Sequence, residues 1–303
     1  MDGLHLRANA KINLSLDILG RRPDGYHEMD MVMQTITLCD EITLCRTPSG
    51  ISLTGDDPTL PCDERNIAHR AARAFFERTG RPGGCAIHIQ KRIPAQAGLG
   101  GGSSDGAAVL RGLNALYGAG LTTPQLCEVG AEVGADIPFL VLGGTARVGG
   151  FGEKLTPLPP LGDCFLLLSK PEEGVSTGAA FAAFDGAEDP PRPDTQRLLA
   201  ALAAGDLPAL GQALKNAMQL PGVVPPAVWE IARRMEEGGA LGACMSGSGS
   251  AVFGLFDREG PARRAEAALR KVYPQTVLCR PTPFGVTDRR GQPVEGSVGA
   301  ARL

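Results

Sequence analysis

The chain has 303 residues, with 30 Lys and Arg against 33 Asp and Glu, a formal net charge of −3 and 43% apolar residues. A chain of this length can bury a full core and favours two domains over one, and its near-neutral charge lacks the broad basic footprint of a nucleic-acid binder. Its longest apolar runs, such as residues 164–168, are far too short to span a bilayer, and residues 1–14 lack a basic segment followed by an apolar one. The expectation is a cytoplasmic protein without membrane anchor or secretion signal.

Along the chain, Leu4, Leu6, Ala8, Ala10, Ile12, Leu14, Leu16 and Ile18 alternate with polar residues including Lys11, Asn13, Ser15 and Asp17. This period of two predicts a strand with one buried face, placing Lys11 and Asn13 on its polar face about 7 Å apart. Residues 21–25 form a loop by their Pro and Gly content. Two short strands, 34–38 and 42–45, are expected around a turn at 39–41, followed by an irregular stretch over 47–63. A helix over 66–78 stops near Gly80, and a strand follows at 86–90.

After the Gly/Ser run at 98–104, Val109, Leu110, Leu113, Leu116 and Tyr117 form the apolar stripe of a helix ending at Gly118. Thr123 and Pro124 read as N-cap and first-turn proline of a further helix closed by Gly134. Residues 143–162 are the expected domain boundary. Beyond it come a strand (164–169), a polar loop (185–194), helices near 195–204, 206–218 and 226–237, and strands at 240–245 and 251–256. A helix at 262–272 and a strand at 276–280 follow, and residues 287–303 read as a disordered tail. The mixed order of strands and helices predicts α+β layers in both halves.

The eight cysteines stand singly, without CxxC or CxxH spacing, and read as small buried hydrophobes in a reducing compartment. The main chemical signal is Gly98-Leu99-Gly100-Gly101-Gly102-Ser103-Ser104-Asp105, between a strand and a helix. Glycines let backbone N–H groups approach a ligand closely, and the helix start adds unpaired amides and a positive dipole end, so the run suits a phosphate. Ser103 and Ser104 add hydroxyl donors. Asp105 would repel phosphate unless it caps the helix or meets a metal, and the cap is the expected role. The Lys of a P-loop and the third Gly of GxGxxG are absent. Gly102 to Gly106 matches the GxSxG nucleophile elbow, but that arrangement needs a later His, and none follows His88.

A second small-residue loop, Ser246-Gly247-Ser248-Gly249-Ser250, reads alone as a hairpin turn. Paired with the first loop it could close over a ligand from the second domain. By spacing alone, Asp136 before Pro138 is a helix N-cap and Lys11 a solvated lysine.

Pro94-x-x-x-Gly98 through Asp105 resembles the signature glycine motif of the GHMP kinases, a family that includes galactokinase, homoserine kinase and mevalonate kinase. Ser246-Gly247-Ser248-Gly249 resembles their third motif. Ala10-Lys11-Ile12-Asn13-Leu14, Arg22-Pro23-Asp24-Gly25-Tyr26-His27 and Gly134-Ala135-Asp136-Ile137-Pro138-Phe139 narrow the match. Gly106 departs from the Ala usual after the Ser-Ser-Asp. The matches run in order from about residue 8 to 256.

The resemblance implies a two-domain α+β fold. Residues 1–155 would form an N-terminal domain like ribosomal protein S5 domain 2, and residues 156–286 a C-terminal α/β sandwich. It implies Mg²⁺-dependent transfer of the ATP γ-phosphate to the 2-hydroxyl of a cytidine-diphosphate-linked methylerythritol in non-mevalonate isoprenoid synthesis. Asp136 would accept the hydroxyl proton and Lys11 would hold hydroxyl and carboxylate together. The run from Gly98 to Ser104, with Pro94, would cradle ATP, with Asn66 and Lys91 on the adenosine side and Ser104 a candidate metal ligand. Asn13, Thr177, Gly247 and Ser248 would contact the acceptor. Tyr26 and His27 would hold its base, with Phe181 stacked on the base's other side. A kinase acting on homoserine or a mevalonate derivative is the rival reading, opposed by the Tyr26-His27 segment. An RNA-binding module is opposed by the charge and the few aromatics, and a hydrolase using Ser104 by the histidine order.

Overall fold

The computed structural model describes residues 3–294. Strands β1 (Leu4–Arg21) and β2 (His27–Thr47) form one long antiparallel hairpin. Its turn closes through Arg22 N–H donating to the Tyr26 carbonyl at 2.7 Å, with Gly25 at φ 90°. β2 is a single strand, so the turn expected at 39–41 does not form. Cys39, Asp40 and Glu41 instead pair with Asn9, Ala8 and Arg7. The Asp40 carboxylate, which would disfavour an ordinary strand, accepts the backbone N–H groups of Arg92 and Ile93 from another segment.

The stretch expected to be irregular contains β3 (Gly50–Gly55). Helix α1 (Ile67–Thr79) connects it to β4 (Gly84–Gln90), and the two strands pair in parallel, as such a crossover allows. Helix α2 (Gly101–Tyr117) begins inside the glycine run and ends at Gly118. Helix α3 (Thr123–Val133) is capped by Thr122 in a reciprocal box with Gln125, one residue ahead of the expected cap. Helix α4 (Ile137–Leu142), β5 (Thr145–Gly150) and β6 (Lys154–Pro157) follow. β5 pairs with β2, so the start of the expected boundary belongs to the first sheet.

The second half is built on an antiparallel sheet ordered β11-β7-β10-β9. Its elements are β7 (Phe165–Ser169), α5 (Thr177–Asp185), α6 (Thr195–Ala204), α7 (Leu207–Ala213), β8 (Lys215–Asn216), α8 (Pro226–Glu237), β9 (Gly242–Met245), β10 (Val252–Phe256), α9 (Glu259–Arg270), β11 (Thr276–Cys279) and β12 (Val286–Asp288). The expected 206–218 helix stops at Ala213 because β8 leaves it to pair in parallel with β1. The expected tail is corrected as well: β12 pairs with β1 at Leu6 to Ala8, and Thr287 bridges Pro293. The last part of that expectation, residues 295–303, lies outside the described residues. Among the described residues no helix is long and apolar enough to cross a membrane.

Two cores meet on β1. Leu6 and Ala8 pack with α1 and α2, whereas Ala10, Ile12 and Leu14 pack with Leu166, Leu168, Phe253 and Leu255 of the second sheet. Neither face of β1 is solvated. Asn9, Lys11, Asn13, Ser15 and Asp17 are all buried, because distant segments meet the face expected to be exposed: Asn9 donates to the Phe284 carbonyl, Lys11 lies against Gly100 and Asp136, and Asp17 pairs with Arg192.

Candidate active site

The polar face of β1 floors a cleft of about 1030 Å³ between the two halves. Lys11 and Asn13 rise from that floor. The Lys11 ammonium donates to Asn13 Oδ1 at 2.6 Å and lies 3.7 Å from Asp136 Oδ2. Lys11 is 3% exposed, against the solvated position its spacing suggested. Asp136 does occupy the N-cap position of α4, but its side chain makes no capping bond, and it faces the cleft and Lys11 instead.

The glycine loop lies beside this couple. Gly98 and Gly100 have φ of 70° and 73°, a region other residues rarely adopt. A Cβ on Gly98 would lie 1.9 Å from the Ser246 carbonyl oxygen, so only glycine lets the two small-residue loops touch. The Leu99 carbonyl accepts the Lys11 backbone N–H at 3.0 Å, tying the loop to β1. Gly100 is the α2 N-cap and has no side chain to satisfy the amides of Gly101, Gly102 and Ser103, an open helix start of the kind that suits an anion.

Helix phase decides which serine serves the cleft. Ser103 lines it. Ser104 is fully buried, and its hydroxyl donates toward the Asn9 and Gly100 carbonyls, 2.9 and 3.0 Å away. Ser104 is therefore corrected from phosphate donor and metal ligand to a brace between α2 and β1.

Asp105 is corrected too. It does not cap α2 but accepts from the Lys91 ammonium at 2.9 Å, and Lys91 also binds Asp40. Burial holds the Asp105 carboxyl well above the usual carboxylate range. Burial alone would lower the Lys91 pKa, but Asp105 and Asp40 outweigh it and raise it above its ordinary value. The ammonium sits 3.4 Å from where a Cβ on Gly101 would be, at the start of α2.

A second cavity of about 300 Å³ opens on the other side of the loop. Asn66, Lys91, Pro94 and Leu99 line it, with Gly101 and Gly102. The Asn66 side chain is engaged locally, accepting from Ala68 N–H and donating to the Pro61 carbonyl, both at 2.8 Å. It lines this cavity as the cap of α1, and these two bonds leave one amide hydrogen and one carbonyl lone pair unused.

Two positions that sequence reasoning left without a role hold the second loop. The Ser246 hydroxyl donates to the Gly98 carbonyl at 2.9 Å and accepts from Asn13 N–H at 3.2 Å. Asn216 donates to the Met245 and Gly247 carbonyls, both at 2.8 Å. Ser246 carried a motif signal; Asn216, on a two-residue strand, carried none. Gly247 and Ser248 line the cleft, and Ser248 lies 2.8 Å from the Thr177 hydroxyl.

At the far end, Tyr26 is 61% exposed with Phe151 at 5.6 Å. The His27 and Phe181 rings stack directly on each other, centroids 4.4 Å apart and 12° from parallel. The expected role of His27 is to hydrogen-bond or stack on the base; with the two rings in contact no third ring fits between them, which leaves the hydrogen bond in the ring plane.

No group of three or more His, Cys, Asp or Glu suited to a metal occurs among the described residues. The acidic pair beside the start of α2, Asp40 and Asp105, is already bridged by the Lys91 ammonium. These residues do not fit a metal held by the protein.

Both halves carry family signatures. The GHMP kinase N-terminal domain model matches residues 66–144 and the GHMP kinase C-terminal model residues 198–275. The chain belongs to the GHMP kinases and is a small-molecule kinase. It is 44% identical over 280 residues to the 4-diphosphocytidyl-2-C-methyl-D-erythritol kinase of Alkaliphilus metalliredigens (strain QYMF), spanning 92% of this chain and 96% of that protein. The same enzyme of Moorella thermoacetica (strain ATCC 39073 / JCM 9320) is 43% identical, over 92% and 99% of the two chains. Within the GHMP kinases, the chain belongs with the proteins of that name. A crystal structure of 4-(cytidine 5'-diphospho)-2C-methyl-D-erythritol kinase superposes with a TM-score of 0.78 at 36% identity, covering 92% of this chain and 99% of that one. The homoserine kinase from Cytophaga hutchinsonii ATCC 33406, at 19% identity and a TM-score of 0.71 over 95% and 97% of the chains, shares the fold.

Proposed function

We propose that the chain transfers the γ-phosphoryl group of ATP to the 2-hydroxyl of 4-diphosphocytidyl-2-C-methyl-D-erythritol, yielding the 2-phosphate and ADP. The observation that carries this reading is the placement of the Lys11–Asp136 couple beside the open amides of α2, within one cleft that also holds His27. Phosphoryl transfer needs alignment and charge compensation more than covalent help. Mg²⁺ enters as part of the MgATP substrate.

The triphosphate rests on the amides of Gly101, Gly102 and Ser103, with the Lys91 ammonium at the edge of the cradle and the adenosine toward the smaller cavity. The acceptor hydroxyl lies between the Lys11 ammonium and the Asp136 carboxylate. Lys11 lowers the cost of the developing alkoxide, and Asp136 takes the proton as the O–P bond forms, a contribution of about 10²–10⁴ in rate. Asn13 keeps the Lys11 ammonium pointed at the hydroxyl. Gly247 and Ser248 approach the acceptor from the second half, and Tyr26 and His27 meet its cytosine. The test is ADP release with the CDP-linked acceptor, homoserine and mevalonate compared at equal concentration. Turnover confined to the first, with phosphorus NMR placing the new phosphate on the 2-oxygen, supports the reading. Preferred turnover of either of the others refutes it.

A further inference from the structure

His27 stands at the acceptor end of the cleft with most of its contacts already assigned. Phe181 covers one ring face. Nε2 lies 2.9 Å from Asp185 Oδ1. An ionised carboxylate only accepts hydrogen bonds, so in the neutral imidazole Nε2 carries the proton and Nδ1 is left an acceptor. Among the described residues no group donates to Nδ1. Any further polar contact that the neutral His27 side chain makes to a ligand is therefore made in the ring plane, by an atom that accepts.

Asp185 itself needs explaining. It is the last residue of α5, where a carboxylate opposes the helix dipole, so helix stability does not account for it. The helix is anchored at its other end, where the Thr177 hydroxyl meets Ser248. α5 thus runs from the second glycine loop to His27 and presents a carboxylate there.

We propose that Asp185 is a positioning residue that fixes the tautomer of His27, so that the site selects an acceptor whose ring presents an amine over one that presents a carbonyl at the same place. This rests on the proposed function, in which the base is cytosine. The exocyclic amine of cytosine donates to an imidazole lone pair. Uracil puts an oxygen there, lone pair against lone pair, and its only ring donor is one atom away, so using it displaces the base. A site built around one donor–acceptor match discriminates far more strongly than one that merely fits a shape.

The experiment compares CDP-linked and UDP-linked methylerythritol with the wild type, Asp185→Asn and Asp185→Glu. An amide side chain offers both an oxygen and an NH₂ and accommodates either tautomer. In Asp185→Asn the ratio of kcat/KM for the two acceptors should fall about tenfold or more, with the KM for ATP unchanged within about twofold. Asp185→Glu should keep most of the preference. Nitrogen-15 NMR of labelled histidine, with His27 assigned by its absence in His27→Gln, should show only the Nε2–H form in the wild type and a mixture in Asp185→Asn. An unchanged ratio in Asp185→Asn, or Nδ1–H in the wild type, overturns the assignment and leaves the proposed function standing. So does an equal loss on both acceptors with a lowered Tm, which makes the pair a mere fastening of α5. A wild-type enzyme inert toward the CDP-linked acceptor overturns the function and this assignment together.

Discussion

Replacing Asp136 by Asn keeps the size of the side chain and removes the negative charge that faces the Lys11 ammonium at 3.7 Å. In a medium of effective dielectric about 20, unit charges at that distance attract by roughly 4–5 kcal/mol. Asp136 is about one-third exposed, so solvent screens much of this, and the net contribution to stability is about 1 kcal/mol. In a chain of this size that lowers Tm by only about 2–4 °C. Catalysis should respond on another scale, because an amide cannot take the hydroxyl proton. The expected loss in kcat is about 10³, or roughly 4 kcal/mol of barrier. Asp136 does not line the smaller cavity, so ATP affinity should hold. The assay is coupled ADP release at saturating substrates, alongside a direct ATP titration and a thermal melt. A kcat within tenfold of the wild type would refute the base assignment. A collapse of ATP affinity would refute the placement of the two substrates.

Gly98→Ala should destabilise the fold by roughly 2 kcal/mol or more in urea denaturation, since it forces a positive φ and a clash with the Ser246 carbonyl; an unchanged midpoint would contradict the close loop contact. Asn216→Ala removes donors to two loop carbonyls and the acceptor for Met218 N–H. It should cost about 1–3 kcal/mol and lower kcat/KM for the acceptor more than for ATP; equal losses would make Asn216 only structural. Asp105→Asn tests the buried triad. The folded-state pKa of Asp105 is raised, so the wild type gains stability from it below the ordinary carboxylate range and loses that gain as pH rises through the raised value. The stability of Asp105→Asn relative to the wild type should therefore climb between pH 4 and pH 8 in paired urea melts, and a flat or falling difference would exclude the raised value.

The alternation in β1 and the stripe of α2 were legible because both are local and periodic. The split assigned to β2 was wrong for a nonlocal reason: Cys39, Asp40 and Glu41 look like a turn until Arg92 and Ile93 arrive to satisfy the Asp40 carboxylate. Spacing could not tell Ser103 from Ser104, because their directions depend on where the helix begins, and glycines mark no start. The burial of Lys11 was invisible in β1 itself, since the groups that close over it, Gly100, Asp136 and Gly247, come from three distant segments. Asn216 and Asp185 belong to no motif, and their roles exist only once the chain has brought distant carbonyls and an imidazole to them.

The final pairing of β12 with β1 has a consequence for synthesis. Leu6 of β1 receives its Asp288 partner only after 282 further residues have been made. Until then one rim of the larger sheet stands open, a template for unwanted partners. A nascent chain stalled before residue 286 should be sticky and protease-sensitive along Leu6 to Ala8, however complete its other elements are.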